Sequence, residues 1–142
     1  MRLIFILLLA LAPCSAYAQF DTQSEGLVTN STEVYTVANI GASANGTAFY
    51  FPKDCRAVLF ELDATHNGGT TPTMDVKLQH SSDGSTWFDV PSAAFTQITT
   101  TSTKYEMHIN RQTIKLRAQA RIVITLGGTS PDYDATVTMY TD

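Results

Sequence analysis

The sequence predicts an all-β chain, an antiparallel β-sandwich of jelly-roll or immunoglobulin-like type with about eight strands. Three observations predict it. Threonine, whose branched β-carbon suits a pleated strand, occurs 21 times in 142 residues. Short runs that alternate apolar and polar residues recur between Gly, Pro, Asn and Asp turn signals. No helical apolar period follows the amino-terminal segment, and only 15% of the chain is charged, below the roughly 25% of an average soluble domain. A coiled coil, a helical bundle and a charged disordered tail are all disfavoured.

The first element reads as an export signal. Met1 and Arg2 precede an apolar run over residues 3–12, and Pro13 leads into the small-residue site Ala16-Tyr17-Ala18. That order is a secretory signal peptide over residues 1–18, cleaved after Ala18. The run is shorter than the about 20 apolar residues a spanning helix needs, so no membrane association is expected after cleavage. Cleavage removes Cys14 and leaves Cys55 as the one cysteine of the mature chain, which excludes an intramolecular disulfide. Residues 19–31 follow as a polar, flexible lead, and residues 32–142 form the sandwich domain.

Within that domain, residues 33–37 and 47–51 are the first two expected strands, separated by Asn39, Gly41, Asn45 and Gly46. Residues 56–65 set Val58, Phe60, Leu62 and Ala64 on one face, with Glu61 and Asp63 on the other. Asn67-Gly68-Gly69-Thr70-Thr71-Pro72 predicts a loop. Residues 74–80 repeat the alternation, and Ser82-Asp83-Gly84-Ser85 predicts a tight turn into the return strand at Trp87-Phe88. Residues 95–100 and 104–109 form another expected pair. Residues 114–126 are the longest predicted strand, and Gly127-Gly128-Thr129-Ser130-Pro131 turns the chain into the last, residues 135–140.

Nine Lys and Arg against thirteen Asp and Glu give a net charge of -4, the wrong balance for neutralising a phosphate backbone, so nucleic acid is not an expected partner. The three histidines and Cys55 fall in no catalytic frame. Asp63-x-x-His66 supplies at most two metal ligands, and Asp132-Tyr133-Asp134 offers too few oxygens for calcium. The expectation is no enzyme, no metal and no cofactor. His66 reads as a solvated turn residue, His80 as half-buried and hydrogen-bonded, His108 as outward-facing, and Cys55 as a small residue at a strand entrance.

Two features carry more information. In the turn, Asp83 is placed to accept backbone hydrogen bonds, Gly84 supplies a positive φ, and Trp87 packs the hairpin onto the core; the alternative is a sugar-stacking platform of Trp87 and Phe88. Four of the nine basic residues, Arg111, Lys115, Arg117 and Arg121, lie within eleven residues that contain no acid. Strand alternation would put Lys115, Arg117 and Arg121 on the face opposite the apolar row, where they either discourage unwanted pairing or dock an acidic neighbouring subunit.

From about Asn30 to Tyr140 the chain resembles a group of small bacteriophage virion proteins, head decoration or tail-associated. The resemblance rests on Phe60-Glu61-Leu62-Asp63-Ala64-Thr65, on Gly68-Gly69-Thr70-Thr71-Pro72-Thr73, and on the run from Val76-Lys77-Leu78-Gln79-His80 through Ser81-Ser82-Asp83-Gly84-Ser85-Thr86-Trp87-Phe88-Asp89-Val90-Pro91. It continues through Ala94-Phe95-Thr96-Gln97-Ile98-Thr99, Leu116-Arg117-Ala118 and Gly127-Gly128-Thr129-Ser130-Pro131. It implies a non-enzymatic β-sandwich that assembles on a virion surface or in a tail, without a cofactor. The expected partners are further copies of itself, as a homo-oligomer, or capsid and tail subunits. A secreted module that binds a glycan is the alternative. The expected location is extracellular by the export signal, or the virion by the resemblance.

Overall fold

The computed structural model describes residues 30–141, and the predicted export signal lies outside them. The strands are β1 (Asn30–Ile40), β2 (Ala44–Asn45), β3 (Phe49–Tyr50), β4 (Ala57–Ser81), β5 (Phe88–Ala94), β6 (Thr103–Asn110) and β7 (Gln119–Thr141). The described chain is all-β. The strands make one open antiparallel sheet of order β1-β7-β4-β5, with β2 and β3 added to β7 and β6 added to β4.

β4 and β7 are 25 and 23 residues long because each runs straight through a segment expected to be a loop. Both glycine-rich segments lie opposite each other: Gly68 faces Asp132, Thr70 faces Thr129 and Thr73 faces Gly127, with register shifts between them. Gly-Gly-Thr-Thr-Pro on one strand and Gly-Gly-Thr-Ser-Pro on the other adopt matching left-handed conformations, at Gly69 (φ 115°) and Thr71 (φ 47°), and at Gly128 (φ 88°) and Ser130 (φ 48°). The extra residues are absorbed as bulges, which bend a strand without reversing it. The loop and the turn expected from this composition are therefore replaced by continuous strand, because local sequence does not distinguish a bend shared by two paired strands from a loop.

The bend divides the sheet into two arms. In the first, β1, residues 132–141 of β7, residues 57–68 of β4 and β6 lie side by side. In the second, β2 and β3, residues 119–127 of β7, residues 73–81 of β4 and β5 do so. Strand alternation buries Val58, Phe60, Leu62 and Ala64 in the first arm and Met74, Val76 and Leu78 in the second, as their spacing predicted. Both sets belong to a single apolar cluster. Phe49, on the second arm, lies with its ring centroid 6.2 Å from that of Phe60 on the first. Tyr133 sits beside the bend, fully buried, and its hydroxyl donates to the Thr99 carbonyl at 2.7 Å.

Other elements depart from expectation. β1 takes in Asn30 and Ser31, the last two residues of the expected lead. Residues 95–100 form no strand; Ile98 makes one isolated bridge to Met74. The longest predicted strand, 114–126, begins only at Gln119. Asn110 ends β6 in a turn, its carbonyl accepting from the Thr113 and Ile114 amides and its side chain from the Gln112 amide. The chain then crosses from the first arm to the second as irregular backbone, with Leu116 half-buried against the core.

Candidate functional site

The site is built from the β4–β5 turn upward. Ser81, fully buried, accepts the amides of Asp83 (3.3 Å) and Gly84 (2.9 Å) and donates its hydroxyl to Asp83 Oδ1 at 2.9 Å. The same Oδ1 accepts the Ser85 and Thr86 amides at 2.9 and 2.8 Å. These backbone bonds, with the Ser81 hydroxyl, hold the Asp83 carboxyl far below the usual carboxylate range. Gly84 has φ 73°. The roles predicted for Asp83 and Gly84 are therefore those the turn uses.

The turn delivers Trp87 and Phe88, and here the expected packing fails. Trp87 is half-buried and stands outside the core cluster; Phe88 is 45% exposed. The Arg121 guanidinium carbon lies 4.4 Å from the Trp87 ring centroid, and that of Arg117 lies 4.4 Å from the centroid of Phe88. Aromatic faces attract cations through the ring quadrupole, and a planar guanidinium stacks without losing its in-plane donors. Trp87 is thus a support for an arginine rather than a core residue.

Each arginine is oriented by a neutral acceptor. Arg117 donates to Ser82 Oγ at 2.9 Å, and Arg121 donates through Nε and Nη2 to Gln79 Oε1 at 3.0 and 2.8 Å. Gln79 passes its amide to Asp89 Oδ1 at 2.7 Å, and Lys77 takes the other oxygen at 2.8 Å. Lys77 first, then Gln79, lowers the Asp89 carboxyl from its ordinary value. Among the described residues neither Arg117 nor Arg121 has a carboxylate within ion-pair distance. Beneath this platform, buried His80 accepts the Arg117 amide at Nδ1 (3.4 Å), and burial, then the Arg117 charge, pushes its imidazole below the ordinary histidine range.

The basic residues do not form the single strand face expected of them. Arg121 alone lies on β7, pointing away from the apolar row; Lys115 and Arg117 precede the strand. Arg111 is elsewhere: its Nη1 donates to the Pro52 carbonyl (2.6 Å), the Cys55 carbonyl (3.2 Å) and the Cys55 sulfur (2.9 Å), and it stacks on Phe51. It braces the turn that holds Cys55, which is buried at 7% exposure and unpaired. His66 is corrected as well, being a half-buried strand residue with Nε2 2.9 Å from the Gly68 carbonyl and its ring against Tyr133. Gln79, Ser82 and Asp89 were not singled out from sequence; the outward alternation of Lys77 and Gln79 was the available signal.

No protein-family model matches the chain, and no curated protein sequence matches it. Chemistry at other places is sparse. Among the described residues no three His, Cys, Asp or Glu side chains converge as metal ligands. A cleft of about 310 Å³ between β1 and residues 45–47 offers Glu33 and Tyr35, and burial pushes the Tyr35 phenol up, away from a proton-transfer role near neutral pH.

Proposed function

We propose that the chain is a non-enzymatic assembly protein, akin to virion decoration or tail-associated proteins, that docks on an acidic surface of a neighbouring subunit through Trp87, Phe88, Arg117 and Arg121. In this reading the two arms fold over the bend as the two layers of a β-sandwich, supported by the shared core and the Phe49–Phe60 approach. The observation that carries the docking role is the pair of guanidiniums stacked on adjacent rings, half-buried Trp87 and exposed Phe88, without a carboxylate of their own. Tryptophan and arginine are the residues on which interface energy concentrates, and charge complementarity supplies steering and register.

The test is sedimentation of the wild type with its assembly partner, or with an acidic polypeptide as stand-in, against Arg117→Glu and Arg121→Glu at low and high salt. Loss of association in both variants and in salt is expected, with folding checked by melting. Association indifferent to both charge and salt would refute the proposal. The exposed Phe88 ring favours one second reading, a secreted glycan-binding module. Binding to a glycan array that persists in high salt and vanishes in Phe88→Ala would select it. The extracellular space and the virion remain the two proposed locations.

A further inference from the structure

The first arm has an open edge of its own, independent of the guanidinium platform. We infer that β6 is a pairing edge for a second copy of this chain, with Lys104 of each copy opposite Glu106 of the other.

Three of the longer strands border the sheet, and two are interrupted. β5 contains Pro91 and a left-handed Ser92 (φ 58°), and its register with β4 shifts between Lys77 and Gln79. β1 carries two register shifts and a left-handed Asn39 (φ 53°). β6 has neither: its eight residues pair in unbroken register from Ala57↔Asn110 to Ala64↔Thr103, and it contains no proline. Bulges, prolines and short strands are among the ways sheets avoid adding a foreign strand, and β6 lacks all three; what it carries on that edge is charge, at Lys104 and Glu106.

The orientation of its backbone follows from one bond. The Arg111 amide donates to the Arg56 carbonyl at 3.0 Å, so residues 56 and 111 form a hydrogen-bonded pair. Such pairs alternate along an antiparallel ladder. Thr103, Tyr105, Met107 and Ile109 therefore turn their backbone groups to β4, and Lys104, Glu106, His108 and Asn110 turn theirs to the open side. Those four also carry the exposed side chains of the strand.

Only residues of like orientation can meet across a two-fold axis, which leaves few registers. An axis at Glu106 opposes Glu106 to itself and Lys104 to His108. An axis at Met107 sets Lys104 against Asn110 and Glu106 against His108, which is a cation only when protonated. An axis at Tyr105 places Lys104 opposite Glu106 twice and Tyr105 against its own mate, giving two opposite-charge pairs and an aromatic pair. Lys104 is already held on that face by Asp63 at 2.7 Å and Glu61 at 3.8 Å, while the ion-pair contact of Glu106 in its own chain is His108 at 3.6 Å. Glu106 is thus a carboxylate with room for a cation, beside an ammonium fixed in reach of a second chain. One short ladder buries far less than the roughly 1,600 Å² of a standard interface, so the dimer is weak and concentration-dependent.

Sedimentation of the full chain at rising concentration should show reversible dimerisation. Lys104→Glu and Glu106→Lys should each weaken it on the order of tenfold, and the double exchange should restore it, because only an axis at Tyr105 sets these two positions face to face. Arg117→Glu should leave this dimer intact. Hydrogen exchange on the wild type gives a reading that needs no variant: the Lys104 and Glu106 amides gain protection as concentration rises, while the Tyr105 amide, already bonded to β4, does not. A wild type that stays monomeric, unchanged exchange at Lys104 and Glu106, or a double exchange no better than the single variants would overturn the inference.

Discussion

Gly128→Ala puts a methyl group where two backbones touch. Gly128 has φ 88°, and a Cβ there would stand 2.9 Å from the Pro72 Cα and against the Thr71 carbonyl, atoms that cannot rotate aside. Forcing a residue other than glycine into such a conformation costs about 1–3 kcal/mol. Separating the two strands enough to admit the methyl adds about 1 kcal/mol or more by overpacking. The loss of unfolded-state freedom on replacing glycine offsets roughly 0.4–1 kcal/mol. The net expectation is a loss of about 2–3 kcal/mol, which for a chain of this size lowers Tm by roughly 6–10 °C. Gly68→Ala is the matched control, since that glycine has ordinary φ and its added Cβ would meet only the Asp132 side chain at 3.9 Å. Thermal and urea unfolding of both variants against wild type measures the difference. Equal melting of the two would refute the claim that the bend depends on left-handed glycine.

Trp87→Ala should cost about 1–2 kcal/mol, because the ring supports Arg121 outside the core, whereas Phe60→Ala in the fully buried cluster should cost about 3–5 kcal/mol; equal losses in urea would show the indole to be core after all. His80 has a folded pKa lowered by burial and by Arg117, so its stabilising contribution is present above the unfolded value of about 6.5 and is lost as pH falls below it. Between pH 7 and 5, Tm of the wild type should fall more steeply than that of His80→Gln, and parallel slopes would contradict this. Asp83 is depressed chiefly by the Thr86 and Ser85 amides, so its contribution holds above its unfolded value of 3.8 and drains away in acid. Asp83→Asn should lower Tm at pH 7 and reduce the loss seen on acidification.

Strand positions were legible where one face is wet. Val58, Phe60, Leu62 and Ala64 alternate with polar residues, and burial follows that alternation. The turn at Asp83 was legible because its side chain bonds amides only two and three residues ahead. What failed depends on distant partners. Gly-Gly-Thr-Thr-Pro looks like a loop until its counterpart 59 residues later lies across from it. Ile114 and Leu116 alternate like strand residues, yet the chain there must pass from one arm to the other, and crossing the core buries apolar side chains as an edge of a sheet would. Trp87 was assigned to the core because adjacent strand residues face opposite ways; the arginine beneath which it lies comes from β7, 34 residues away in sequence.

The pairing of Asn30 with Thr141 has a mechanical consequence. Whatever continues the chain before residue 30 and after residue 141 departs from neighbouring points at the same end of the first arm. Tension applied through both ends would load the β1–β7 ladder one hydrogen bond at a time, as a zipper opens, rather than shearing all its bonds together. A chain held by one end alone leaves that ladder unloaded and carries its bend, with Gly69 and Gly128, at the other end of the first arm. Under load, this chain is therefore suited to be held at a single end and poorly suited to serve as a link in a stretched chain.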